Sequence, residues 1–143
     1  RLVADWHGRV IGAIHITAYQ NPRLKHAGRL GMMVHPDVWG EGVGSQLLAA
    51  SLNLADNWLN LSRLELEVFT NNPAAIHLYE KFGFEREGLR QKVAFGSGRF
   101  LDDYVTAKRA AVSPLVAYDW FAFDLITRPA PSRGWCCGSG RAA

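Results

Sequence analysis

Val34-His35-Pro36-Asp37-Val38-Trp39-Gly40-Glu41-Gly42-Val43-Gly44-Ser45 reads as the end of a strand, a glycine-rich turn and the start of a helix. Gly40, Gly42 and Gly44 fall at alternate positions and strip the turn of β-carbons. Backbone N–H groups can then converge on an anion at the positive end of the helix that follows. The stretch is a candidate cradle for a pyrophosphate, and so for a nucleotide-bearing co-substrate. Two competing glycine motifs fail on residue identity: Val43-Gly44-Ser45 lacks the lysine of a Walker loop, and Ser45 stands where a dinucleotide-binding fingerprint needs its last glycine.

Upstream of the turn, Arg29 to Val34 reads as the strand that feeds it, and Tyr19 to Ala27, with Pro22, reads as a loop. Before that, Leu2-Val3-Ala4 and Val10 to Thr17 flank Asp5-Trp6-His7-Gly8 as a β-hairpin. The chain opens on Arg1 in the middle of a sheet, without an initiator methionine, and reads as a fragment or processed product. Downstream, Leu47, Leu48, Ala55, Trp58 and Leu59 describe the buried face of a helix over Val43–Asn60. Arg63 to Phe69 alternates, with Leu64, Leu66 and Val68 on one face and Glu65 and Glu67 on the other, which is the period of a strand.

A second informative element is Asn72-Pro73-Ala74-Ala75-Ile76-His77-Leu78-Tyr79-Glu80-Lys81-Phe82-Gly83-Phe84. Asn72 is placed to cap a short helix, Pro73 suits its first position, and Gly83 stops it. Arg86 to Phe95 and Arg99 to Lys108 read as strands around Gly96-Ser97-Gly98. After Arg109 the character changes. Residues 110–126, with Trp120, Phe121 and Phe123, are apolar without a clear period, and 127–143 are rich in Pro, Gly, Ser and Arg and expected to be disordered. The division is thus a core over 1–109 and an atypical tail over 110–143.

At 143 residues, 48% hydrophobic and 20% charged, the composition suits one globular domain. The net charge of +3 is spread among alternating acids and bases, which argues against a dedicated nucleic-acid surface. No run approaches the ~20 apolar residues of a membrane span, and no secretory signal opens the chain, so a soluble cytoplasmic protein is expected. The only cysteines, Cys136 and Cys137, are adjacent, and the five histidines show no paired ligand spacing, so no metal is assigned.

The order of strand, glycine turn, long helix, strand, short helix and closing hairpin resembles the GCN5-related N-acetyltransferase (GNAT) superfamily from about Leu2 to Arg109. Asp56-Asn57-Trp58-Leu59, Glu65-Leu66-Glu67-Val68-Phe69 and Asn72 to Phe84 look most like its bacterial L-amino acid N-acetyltransferase branch. The resemblance implies an α/β (α+β) fold: a mixed, mostly antiparallel sheet with helices packed on it, here without the family's first strand and first two helices. It implies acetyl-CoA as co-substrate, with Trp39, Gly40, Glu41, Gly42, Val43, Gly44 and Ser45 at the pyrophosphate and Met32, Met33 and Val34 bonding the pantetheine arm as an added strand would. Trp39 takes the usual Gln/Arg place, a departure also found in the branch that acetylates ribosomal-protein N-termini.

By the same resemblance Asn72 contacts the pantetheine arm, although its sequence context is equally that of a plain helix cap. Tyr79 matches the tyrosine that protonates the departing thiolate; read alone, it is a core aromatic spaced with Ile76 and Phe82. Glu67 stands where a base would accept a proton from the attacking amine, or else lies on a solvated strand face with Glu65. Arg86, Arg90, Lys92, Asp102, Asp103 and Tyr104 are available to the acceptor, and a basic side chain there could hold an amino-acid carboxylate. The implied activity is acetyl transfer to a primary amine, foremost the α-amine of a free amino acid or similar small molecule. A protein N-terminus as acceptor, and acyl-CoA binding without catalysis, are the alternatives. A second copy of the chain stands as a candidate partner.

Overall fold

Alternating apolar side chains and two tight turns draw the chain into a six-stranded sheet. The computed structural model describes residues 1–109, so the expectations for the tail lie outside the described residues. The strands are β1 (Leu2–Trp6), β2 (Arg9–Ala18), β3 (Ala27–Val34), β4 (Arg63–Phe69), β5 (Glu85–Gly96) and β6 (Arg99–Arg109), with helices α1 (Val43–Asn57) and α2 (Pro73–Lys81). Their spatial order is β1-β2-β3-β4-β6-β5. Every neighbouring pair is antiparallel except β3 and β4. Both hairpins close on two residues in the left-handed region, His7-Gly8 and Ser97-Gly98, the conformation that matches the twist of paired strands.

The parallel pair is the feature that positions the site. It joins Ala27 to Arg63, Gly28 to Leu64 and Arg29 to Glu65, and pairing then stops. β3 runs on to Val34 and β4 to Phe69, so the facing edges of Leu30–Val34 and Leu66–Phe69 are left unpaired. On its other edge β3 is fully paired with β2, and β4 with β6.

The core lies on one face of the sheet, where Ile14, Leu30, Leu66 and Val68 pack against Leu48 and Leu52 of α1 and Tyr79 of α2. α1 is shorter than the apolar spacing predicts. It ends at Asn57, Trp58 takes a non-helical backbone, and Asn60 turns left-handed. Trp58 is consequently 79% exposed and Leu59 43% exposed, rather than both lying on the buried face. The 3.6-residue period has no meaning once the backbone leaves the helix. The loop after β2 holds a single 3-10 turn, Pro22–Leu24, and β3 begins two residues before its expected start at Arg29. On the outer strand β5 the register shifts between Arg86 and Gly88 and again between Arg90 and Ala94, with Lys92 left-handed inside the second bulge. No helix among the described residues is long and apolar enough to cross a membrane.

The opposite face carries charge. Arg63 donates from Nε to Glu65 at 2.6 Å, and its Nη1 and Nη2 hold Glu87 in a bidentate pair, with Nη1 at 2.9 Å. The hydrogen bond from Arg63 holds both carboxyls below the usual carboxylate range. Carboxyls depressed in this way stabilise the fold above their unfolded value of ~4.3, and that stabilisation is lost as pH falls through the folded value. Arg63→Gln should therefore cost about 1 kcal/mol at pH 7, and the difference from the parent chain should shrink below pH ~4. Urea unfolding at the two pH values checks this; a difference that is constant with pH would refute it.

Candidate active site

The glycine turn is a set of backbone donors without acceptors. Gly42 caps α1 with φ +83° and no side-chain cap, and the first capping bond runs from Gln46 N–H to Gly42 O. The N–H groups of Val43, Gly44 and Ser45 therefore have no partner in the first helical turn. Gly40, also at φ +83°, and Gly42 likewise donate to no backbone carbonyl among the described residues. Five donors thus gather at the positive end of α1, the arrangement that binds phosphate. The other two predicted members are occupied. Glu41 N–H donates to Val38 O at 3.3 Å, and Trp39 donates its backbone N–H to Pro36 O and its indole N–H to Val34 O at 2.9 Å. Trp39 thus pins the turn to the end of β3.

A β-carbon at Gly42 would meet nothing within 4 Å, so the left-handed backbone alone restricts that position. Gly42→Ala should cost about 1–2 kcal/mol through that strain and weaken anion binding at the turn. Urea unfolding measures the first effect and titration with coenzyme A the second; an unchanged midpoint and affinity would show that the φ is not needed. Gly44 has another role. Its β-carbon would lie 3.2 Å from Leu78 of α2 and 3.6 Å from Met32 of β3, so its bareness lets the first turn of α1 settle against both.

The unpaired edge of β3 leads away from this turn. Along it every second residue directs its N–H and C=O towards the gap, as the edge of any strand does. Met32 packs towards the core, whereas Met33 is 72% exposed on the charged face. α2 stands on the core side of the gap. Asn72 Oδ1 accepts from Ala75 N–H at 3.1 Å, so its carbonyl is committed to the cap and its amide N–H groups remain for a ligand. Gly83 N–H bonds Glu80 O and Phe84 N–H bonds Tyr79 O, a Schellman stop in which the Phe84 ring also meets Tyr79 edge-on at 5.7 Å. That stop fixes the Tyr79 ring. Burial pushes the Tyr79 phenol above its ordinary value. Its hydroxyl has no hydrogen-bond partner among the described residues, yet no buried polar side-chain atom among them is unpartnered, so the oxygen reaches open space.

Glu67 points from β4 to the other face, between the core positions Leu66 and Val68. Tyr79 and Glu67 are thus separated by the sheet and can share a ligand only through the gap. Glu67 Oε1 contacts Arg29 Nη2 and, at 2.9 Å, Arg90 Nη1. Arg90 in turn donates from Nε and Nη2 to Asp103 at 2.9 and 2.6 Å, and Asp103 is buried. Of the other acceptor candidates, Arg86 is drawn to α2, where it pairs with Glu80 at 2.5 Å and lies over the Tyr104 ring. Lys92 N–H donates to Asp102 Oδ1 within the β5 bulge, and its Nζ lies over the Phe100 ring. Arg29 is the member of this site that sequence reasoning missed.

Known proteins resemble the chain in both sequence and shape. A family model described as "Acetyltransferase (GNAT) family" matches residues 1–84. L-amino acid N-acetyltransferase AaaT of Escherichia coli is 39% identical over 108 residues, which cover 76% of this chain and 67% of that protein. The acetyltransferase of GNAT family from Streptococcus pneumoniae superposes with a TM-score of 0.70 at 37% identity, over 73% of this chain and 62% of that one. At 21% identity, yncA of Salmonella typhimurium, solved with its cofactor acetyl-CoA, shares the fold with a TM-score of 0.66 over 76% of this chain and 64% of its own. The chain therefore spans about two thirds of the length of these proteins.

Proposed function

Because the chain belongs to the acetyltransferase (GNAT) family, we propose that it is an N-acetyltransferase that moves the acetyl group of acetyl-CoA to a primary amine, foremost the α-amine of a free amino acid. The observation that carries this reading is the break in β3–β4 pairing beside a turn of free backbone donors. The five N–H groups from Gly40 to Ser45 suit the pyrophosphate, and the open edge at Met32, Met33 and Val34 suits the amide-bearing pantetheine arm as an added strand. The Asn72 amide is free to donate to the same arm. A metal has no part in this assignment.

In this reading Glu67 takes a proton from the acceptor ammonium. The amine nitrogen forms a bond to the thioester carbonyl carbon, the C–S bond breaks, the Tyr79 phenol gives its proton to the thiolate that leaves, and the second proton that the nitrogen loses as the amide forms restores the phenol. The α-ammonium of a free amino acid, held by its neighbouring carboxylate, stays charged at pH 7 but ionises more readily than a lysine amine near 10.4, which costs about 4–5 kcal/mol to deprotonate. Glu67 therefore has to take a proton from either acceptor, and at a smaller cost from the amino acid. The rival reading, an acyl-CoA-binding domain without turnover, draws support from the two arginines that occupy Glu67. Thiol release from acetyl-CoA across a panel of primary amines separates the two: turnover is expected with amino acids, and tight acetyl-CoA binding with no release from any amine would leave the binding reading in its place.

A further inference from the structure

The two arginines that hold Glu67 are not equivalent. Arg90 is anchored by a bidentate pair to Asp103, whose side chain is 6% exposed. Arg29 has Glu67 as its one ionic partner among the described residues and is 54% exposed. Arg29 also faces Glu65 in the last pair before β3 and β4 part, so it sits at the closed end of the gap, on the face away from Tyr79. Arg29, Arg90, Glu67 and Asp103 form a neutral quartet in which one link, Arg29 to Glu67, can open without exposing a buried charge.

We propose that Arg29 and Glu67 form a clasp for the zwitterionic end of an α-amino acid, the carboxylate taking the Arg29 guanidinium and the α-ammonium taking the Glu67 carboxylate in place of their mutual ion pair. The exchange breaks one ion pair and forms two, and the quartet stays neutral because the guest is itself neutral. Arg90 keeps Glu67 in position while Arg29, on a long flexible side chain, swings aside. A planar guanidinium matches a carboxylate in bidentate fashion, which a lysine would not reproduce. An amine without a carboxylate has to break the same ion pair and leaves Arg29 unpaired, and a polyamine brings a second positive charge towards it. The clasp therefore selects acceptors by their carboxylate and delivers the α-nitrogen to Glu67 from the face opposite Tyr79. Further along β3, a depression lined by Arg1, Ala13, His15, Gly31, Met32 and Met33 is open to the rest of the guest.

This inference rests on the acetyltransferase reading, and its test keeps the two apart by reading acceptor binding as well as turnover. Neutral L-amino acids, each with its amide and its decarboxylated amine, are titrated calorimetrically into the full chain and assayed for thiol release from acetyl-CoA. Arg29→Gln should weaken amino-acid binding and raise its KM by about 10- to 100-fold, while amides and decarboxylated amines, relieved of breaking the Arg29–Glu67 pair, should bind no more weakly than to the parent chain. Arg29→Lys should recover part of the loss and guards against a folding artefact, which thermal melting of each variant also reads. Equal losses for amino acids and their amides would overturn the clasp. Amino-acid binding that depends on Arg29, with no thiol release from any acceptor, would sustain the clasp and overturn the acetyltransferase reading.

Discussion

Tyr79→Phe should lower kcat for acetyl transfer by about 10²- to 10⁴-fold, the usual worth of a positioned general acid, with acetyl-CoA affinity nearly unchanged. Only the hydroxyl is removed. The ring keeps its buried place and its edge-on contact with Phe84, and the Schellman bonds that hold it are backbone bonds. Burial raises the phenol, so it stays protonated across the neutral range. A phenol raised above ~10 is a weak donor to a thiolate near the ~8.5 of a free thiol, and each unit of mismatch costs 1.36 kcal/mol. Transfer is favourable only if the departing thiolate is desolvated too, which is what the interior of the gap supplies. The same shift makes an alkaline signature: stability is fully present below ~10 and is lost as pH rises through the folded value, because the unfolded chain ionises first. Steady-state kinetics and coenzyme A titration of the variant decide the role, and an unchanged kcat would remove it.

Leu48→Ala should destabilise the fold by about 2–5 kcal/mol, lowering its melting temperature by roughly 10–30 °C. Leu48 is 0% exposed, at the centre of the α1 face that meets the sheet. Truncation removes apolar burial and leaves a cavity that a close-packed helix and sheet cannot refill. The effect reaches function because α1 carries the free donors at its first turn. A looser α1 holds Val43, Gly44 and Ser45 less firmly, so coenzyme A affinity should fall with stability. Calorimetric melting checks the first outcome; a change below about 1 kcal/mol would mean that the site collapses onto neighbouring side chains.

Most of the architecture was legible because its signals are local. Asn72-Pro73 and Gly83 bound α2 to within a residue or two, since a cap, a fixed φ and a left-handed stop act over a single turn. The end of α1 was not, because the residue that turns left-handed there is Asn60 rather than a glycine, and no stop signal interrupts the apolar spacing that runs on through Trp58 and Leu59. The glycine turn was read as a donor cradle from its alternate glycines, whereas that Trp39 spends both its N–H groups inside the protein depends on how the turn folds back onto Val34. Glu67 presented two readings, base or solvated face, and its pairing with Arg29 and with Arg90, itself an acceptor candidate, was invisible. Arg29 and Glu67 meet only because β3 and β4 pair in parallel with one register, a long-range choice that periodicity on either strand cannot specify.

The bulges of β5 have a consequence outside the site. Among the described residues β5 is an edge strand, and an edge strand with regular pairing groups invites a second sheet to add to it. Here the two register shifts, the left-handed Lys92 and the charges of Arg86, Arg90 and Lys92 interrupt that row of donors and acceptors. Phe95 and Phe100 meet edge to face at the exposed hairpin tip, beyond the second bulge. The β5 border of the sheet is thereby guarded against self-templating, while the unpaired strand edges inside the gap stay available to a guest.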